Sequence, residues 1–278
     1  MKKLLSVLLV LVLLVSTLVS CGQKADKTVI AVPDDATNEN RALNLLVAQG
    51  LITLNSTADG LATVRDIKDN PYNIEFKEVV AAQIPNVLKD VTCAVINANY
   101  AIEAKLTPFI TEGTDVSYPN IVCVKEGNEN TDLAKALVAA VNSTAVQKYI
   151  ADTFKGAVVC DLVNPGDGFD PAVDYAALAG QTIKIAASPT PHAEILKAAK
   201  DVLAQKNITL QIIEFEDYVQ PNTVVEEGEC FANYFQHIPY LNDFNAANGT
   251  HIVSVIAVHH EPMGIYSDKI SSLDSIKK

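Results

Sequence analysis

The chain contains no tryptophan, two methionines and only two arginines, Arg41 and Arg65, beside nineteen lysines. Basic residues total 21 against 33 acids, a formal charge of −12. So little positive charge leaves no basic footprint for nucleic acid, which is excluded as a partner. Five cysteines in 278 residues are too few for a disulfide-built scaffold. No Gly-x-Ser-x-Gly nucleophile and no phosphate-cradling glycine loop occurs. These gaps argue against an enzyme and against a resident cofactor. What is abundant is apolar: 49% hydrophobic residues supply a core and rule out wholesale disorder.

The first twenty residues stand apart. Met1-Lys2-Lys3 is followed by an apolar run from Leu4 to Ser20. Two lysines before such a run read as a secretory signal. Ser6, Ser16, Thr17 and Ser20 interrupt it, and it is short of the ~20 apolar residues a membrane span needs. Its end, Leu18-Val19-Ser20-Cys21, resembles the bacterial lipobox. That resemblance implies cleavage before Cys21, lipidation of its thiol and a tether over 21–27. Cleavage leaves 19 basic against 33 acidic residues, a mature charge of −14. Such a surface is not drawn to anionic lipid, so attachment to the membrane falls to the acyl chains.

Beyond the tether, short apolar runs alternate with amphipathic ones. Lys27–Val32 reads as a strand stopped by Pro33, and Glu39–Gln49 as a helix with Gly50 as its stop. Asn73–Val80 and Val91–Ile96 read as strands around a helix at Ala81–Lys89. The pattern restarts with a strand at Ile121–Val124 and helices at Thr131–Val141 and Thr144–Phe154. A strand at Thr182–Ala187, a helix at Pro191–Ala204, and strands at Thr209–Phe215, Ile252–His259 and Pro262–Tyr266 complete it. This alternation predicts an α/β protein with mostly parallel sheets, divided into two lobes with a cleft between them. Asp161–Gly180 carries turn chemistry around Asn164-Pro165-Gly166 and reads as a connector. Cys93, Cys123, Cys160 and Cys230 read as buried free thiols, with one disulfide left open by the sequence.

Ligands of open α/β sheets bind beyond the carboxyl ends of strands. Polar clusters fall there at Asp34–Arg41, at Asn97 and Asn99, and at Ser188–His192. A further cluster, Asn233–His237, is aromatic and amide-rich. Arg41 is a rare arginine in a lysine-rich chain, and only arginine offers a planar fork for a carboxylate. A helix-surface salt bridge explains it equally well. Asn97 and Asn99 carry amides that suit an ammonium and a carboxylate together, although helix capping is their commoner use. Tyr234, Phe235, His237 and Tyr240 suit either an apolar pocket with polar tips or core packing. His259-His260-Glu261 invites a metal reading. Adjacent strand residues point to opposite faces, however, and the other histidines add no ligand spacing, so no metal is assigned.

Taken together, these segments resemble the methionine-binding lipoproteins of ABC importers, the NlpA family. The matching stretches are Ser188-Pro-Thr-Pro-His-Ala-Glu-Ile-Leu196, Phe215-Glu-Asp-Tyr-Val-Gln-Pro-Asn222, Ala232-Asn-Tyr-Phe-Gln-His-Ile-Pro-Tyr-Leu241 and His260-Glu-Pro-Met-Gly-Ile-Tyr-Ser267. Val32-Pro-Asp-Asp-Ala-Thr-Asn38 with Arg41-Ala-Leu43, Val95-Ile-Asn-Ala-Asn-Tyr-Ala101 and Phe154-Lys-Gly-Ala-Val158 extend the likeness. The order is not the family's, whose amino-terminal half begins with the segment found here at Thr182. A circular permutation accounts for this, with Asp161–Gly180 joining the family's former ends.

The resemblance implies a two-lobe, periplasmic-binding-protein-like fold of type II. Residues 28–118 with 262–278 would form lobe B, and 119–261 lobe A. It implies a lipid-anchored protein facing outside the cytoplasm, which captures L-methionine and delivers it to an ABC permease and its ATPase. Arg41 would hold the ligand carboxylate, and Asn97 and Asn99 the ammonium and carboxylate. Tyr234, Phe235, His237 and Tyr240 would wall the side-chain pocket, joined by Tyr218 and Glu261. Replacing Arg41 would abolish binding and leave the fold intact. Phe231 stands where the family has aspartate, Cys230 where leucine is common and Tyr234 where phenylalanine is usual, which puts the pocket's shape in question. The competing functions are binding of another small amino acid or a methionine-containing dipeptide, and a surface adhesin with a vestigial cleft.

Overall fold

A computed structural model describes residues 27–58, 60–113 and 118–278. The signal segment, Cys21 and the tether up to residue 26 lie outside the described residues. The first strand is Val29–Pro33 (β1), buried from Ile30 onward as its unbroken apolar run requires. Thr53–Leu54 (β2) and Ile67–Asp69 (β3) make a small separate pair. Glu75–Val79 (β4) and Cys93–Ile96 (β5) flank β1 in parallel, and Ile110–Thr111 (β6) lies at the far edge.

The chain then crosses to a second sheet. Its strands are Asn120–Lys125 (β7), Val159–Cys160 (β8), Thr182–Ala187 (β9), Thr209–Glu214 (β10), Ala232–His237 (β11) and Ile252–His260 (β12). It returns as Gly264–Tyr266 (β13), which inserts between β5 and β6. The orders are β4-β1-β5-β13-β6 in the sheet of lobe B and β10-β9-β11-β7-β12-β8 in that of lobe A.

Each sheet is mixed rather than mostly parallel. β13 runs antiparallel to β5 and β6, and β7 antiparallel to β11 and β12. Parallel neighbours need a crossover connection. β13 instead enters lobe B straight from lobe A and takes the antiparallel sense. The 232–237 segment, read only as a cluster leading into a helix, is a central, fully buried strand of lobe A.

Helices follow the strands. Ala36–Ala48 (α1) is capped by Asp35, whose side chain accepts the Asn38 backbone N–H. The continuous helix expected at Ala81–Lys89 is broken. Ile84–Val87 (α2) is a single turn flanked by 3₁₀ turns, with Pro85 withholding a backbone N–H. Ala98–Glu103 (α3) follows β5. Asp132–Val141 (α4) and Thr144–Phe154 (α5) start at the caps Thr131 and Ser143. Tyr175–Leu178 (α6), Glu194–Ala204 (α7), Gln220–Glu226 (α8) and Ile238–Asn248 (α9) cover the second sheet. α7 begins later than the expected Pro191, following a π-type turn at Pro189–Ala193 in which Thr190 stays extended ahead of Pro191.

The connector is packed into lobe A. Leu162, Val173 and Leu178 are buried in its core. Gly168 has φ +95° and sits so close to α7 that a Cβ would lie 2.4 Å from Val202 Cγ1, which only glycine permits. Cys93, Cys123 and Cys230 are buried free thiols, and Cys160 is free and half-buried. No helix among the described residues is long and apolar enough to cross a membrane.

Candidate functional site

The carboxyl ends of β1, β5 and β11 face a cavity between the lobes. Lobe B lines it with Asn38 and Arg41 from α1 and with Asn97, Ala98 and Asn99 at the start of α3. Lobe A contributes Asn120, Tyr218, Phe235, Gln236, His237 and Tyr240. Glu261, just past β12, closes the floor. The space between these side chains, open solvent included, is about 380 Å³.

Sequence reasoning singled out Arg41, Asn97, Asn99, Tyr218, Phe235, His237, Tyr240 and Glu261, and the structure brings these eight together here. It does not bring Tyr234. That ring is fully buried behind the cavity, with its hydroxyl bonded to His259 Nδ1 and its edge against His192. A register shift in β11 between Tyr234 and Gln236 turns the strand, so Phe235, Gln236 and His237 meet the cavity in succession. The tyrosine standing for the family's phenylalanine therefore lies outside the lining. Asn38, Asn120 and Gln236 were not singled out, although Gln236 lay inside the flagged cluster Asn233–His237. Asn38 lay inside another, three residues before Arg41 and so on its helix face.

Arg41 does not offer its whole fork to the cavity. Its Nε donates to Glu112 Oε1 at 2.8 Å and its Nη2 to Glu112 Oε2 at 2.6 Å. Nη2 also donates to the Glu261 carbonyl at 3.0 Å, and the guanidinium lies 4.2 Å from the centre of the Tyr118 ring. A buried guanidinium needs a buried counter-ion, and Glu112 is that ion, steadied by the Met263 N–H at 2.7 Å. Nη1 has no hydrogen-bond partner among the described residues.

Asn97 occupies the N-cap position of α3 but makes no capping bond. Its Nδ2 donates to Asn38 Oδ1 at 2.8 Å, and its buried Oδ1 has no partner among the described residues. Asn99 Oδ1 accepts the Tyr218 hydroxyl at 2.7 Å from across the cleft. Tyr100 reaches over likewise, donating to the Glu216 carbonyl at 2.7 Å, and its ring lies 5.1 Å from that of Tyr218. These contacts hold the lobes closed on each other.

Behind the cavity, His192, His259 and Glu261 converge, their donor atoms within 4.8 Å of one another. His192, distant in sequence, takes the place that His260 could not, since His260 faces Asp161 at 2.8 Å. His259 Nε2 lies 2.7 Å from Glu261 Oε1, a hydrogen-bond distance. Two donors on one zinc stand roughly 3.3 Å apart when bond lengths are about 2.0 Å. His259 is therefore a hydrogen-bond partner that orients Glu261, whereas His192 Nε2, 4.0 Å from that carboxylate, pairs with Asn120 Oδ1 at 3.0 Å.

Burial pushes the Glu261 carboxyl up, while the Arg41 charge pulls it back. Burial pushes the imidazoles of His192 and His237 down to about 3, helped in His237 by the Arg41 charge. Both are neutral at physiological pH. Their sign in stability is definite: the unfolded chain takes up protons near pH 6.5 that the fold refuses, so stability falls with pH below that value. At pH 5 each imidazole costs about 2 kcal/mol. Glu261 carries the opposite sign, its raised carboxyl being relieved as pH falls. Imidazole resonances of His192 and His237 are expected to stay fixed in NMR spectra from about pH 8 to 5. A transition near the unfolded value in either ring would show that the site is open to protons.

Comparison with known proteins adds the family. The sequence profile described as NlpA lipoprotein matches residues 19–161 and 183–278. The probable D-methionine-binding lipoprotein MetQ of Vibrio cholerae is 38% identical over 144 residues, covering 50% of this chain and 54% of that protein. The membrane lipoprotein TpN32 of Treponema pallidum is 38% identical over 135 residues, covering 47% and 50%. Among solved structures, a nutrient-binding protein from Burkholderia cenocepacia bound to methionine is 40% identical, with a TM-score of 0.45 over 48% of this chain and 59% of that one. The chain spans about half the length of the curated relatives it matches. With its profile covering nearly everything from the lipobox to the last strand, save the connector, the chain belongs to the NlpA lipoprotein family.

Proposed function

We propose that this protein is a solute-binding lipoprotein, anchored outside the cytoplasm through Cys21, that closes its two lobes on L-methionine and delivers it to an ABC permease and its ATPase. It is a binding protein and not an enzyme. The observation that carries the reading is Asn97 Oδ1, a buried acceptor without a partner among the described residues, in a cavity that also contains Arg41. A buried acceptor left unpaired costs free energy that a ligand donor restores. An ammonium supplies the donor, and the Nη1 edge of Arg41 and the Asn99 amide suit the carboxylate. Phe235, Tyr240 and the stem of Tyr218 suit an apolar side chain. The names of the relatives from Vibrio cholerae and Burkholderia cenocepacia support methionine as that ligand.

The permuted order belongs to the same reading. Matches confined to half of this chain and half of each relative are what a permuted sequence presents to a collinear alignment. The profile's gap at 162–182 coincides with the connector.

Calorimetric titration of the purified protein with L-methionine is expected to give saturable heat and a ligand-dependent rise in Tm. Neither heat nor a thermal shift at millimolar ligand would sink the proposal. A competition panel of D-methionine, other small amino acids and methionine-containing dipeptides reads out specificity in the same cell.

A further inference from the structure

Asp35 does not line the cavity, and its evident task is to cap α1. Its carboxylate does more than that. Oδ1 accepts the Asn38 backbone N–H at 3.0 Å and the Asn38 side-chain Nδ2 at 2.9 Å, and Oδ2 accepts the same Nδ2 at 3.1 Å. An ionised carboxylate can only accept hydrogen bonds. Asn38 must therefore turn its NH₂ edge toward Asp35, which leaves its Oδ1 facing Asn97. Asn97 must in turn spend its Nδ2 on that oxygen, at 2.8 Å. Only Asn97 Oδ1 then remains, and it is the buried atom left without a partner among the described residues. The three side chains form a one-way chain in which each amide's orientation is dictated by the one before it.

We infer that Asp35 is a positioning residue which, acting through Asn38, fixes Asn97 with its carbonyl oxygen turned to the cavity and so makes the site selective for a ligand bearing an ammonium group. Without Asp35 either amide can rotate by half a turn, and Asn97 would then present a donor edge that an ammonium cannot use. The inference rests on the reading of the site as one for a zwitterionic amino acid.

The test compares two ligands on four proteins. L-methionine and the methylthiobutanoate that lacks its amino group are titrated calorimetrically above neutral pH. The proteins are the unaltered chain, Asp35→Ser, Asn38→Leu and the double variant. Serine still caps the helix but lacks the second oxygen that commits the Asn38 amide. Each single variant is expected to bind methionine about 10- to 100-fold more weakly, the loss of one charge-assisted hydrogen bond. Affinity of Asp35→Ser for the des-amino ligand should stay within about threefold. The double variant should lose no more than the worse single one, since both break the same chain. Equal weakening of both ligands by Asp35→Ser would make Asp35 a cap alone, and unchanged methionine affinity would overturn the inference outright.

A ligand-free readout separates this from the functional reading. Side-chain amide protons of Asn38 and Asn97 should exchange slowly in the unaltered protein and faster in Asp35→Ser. Unchanged exchange overturns the positioning role whether or not methionine binds. Absence of methionine binding with exchange behaving as expected overturns only the choice of ligand.

Discussion

Arg41→Leu is expected to cost the protein about 3–5 kcal/mol of stability as well as its ligand. The Arg41 and Glu112 side chains are only 7% and 4% exposed. Truncating the arginine leaves a buried carboxylate facing apolar surroundings and a single backbone N–H, that of Met263. The expectation from sequence, that Arg41→Ala would abolish binding and leave the fold intact, considered Arg41 only as a ligand group. The geometry makes it first a partner of Glu112. Chemical denaturation should show the lowered midpoint, and Arg41→Leu/Glu112→Leu should recover most of it, because a well-packed apolar pair replaces a buried ion pair at little cost. Methionine binding should stay lost in both. A single variant that unfolds at the unaltered midpoint would remove Glu112 from the account.

Asn97→Leu should do the reverse. Methionine affinity is expected to fall about 10- to 100-fold, while stability stays within about 1 kcal/mol. The reason is an imbalance already present in the fold. Removing Oδ1 removes an atom that has no partner among the described residues, so nothing favourable is lost there. Losing Nδ2 frees Asn38 Oδ1, but that oxygen borders the cavity and can hydrate. Calorimetry and a denaturation curve on one preparation check both halves. Unchanged affinity would dismiss Asn97 as the ammonium acceptor, and a large loss of stability would show the amide to be structural. Together the two variants separate a residue that serves fold and site from one that serves the site alone.

Much of this arrangement was legible in the sequence, for identifiable reasons. Apolar runs of four to six residues ending in polar clusters marked β1 and β5, and the rule that ligands gather at strand ends pointed to Arg41, Asn97 and Asn99. β11 was harder. Its alternation is broken by a register shift, so parity could not tell that Tyr234 turns away while Phe235, Gln236 and His237 meet the cavity. Glu112 was invisible because nothing local to it predicts a partner 71 positions away. His192 was likewise flagged with its loop, but its approach to His259 and Glu261 is a product of tertiary packing. The mixed strand senses were missed because alternating elements were assumed to mean crossover helices, whereas β13 arrives directly from the other lobe.

That late strand has a bearing on how the chain reaches its native state. β13 follows every strand of lobe A in the chain, yet it occupies an interior lane of its sheet, joining Ile96↔Gly264 on one side and Thr111↔Gly264 on the other. Every strand of lobe A is synthesised before it, so lobe A can finish while lobe B still waits. Until then β5, buried along its whole length in the finished fold, offers one unpaired edge, the kind of edge that recruits foreign strands. The half synthesised first is thus completed last. Closing such a distant pairing is also slow, so the β5 edge stays open until Gly264–Tyr266 docks.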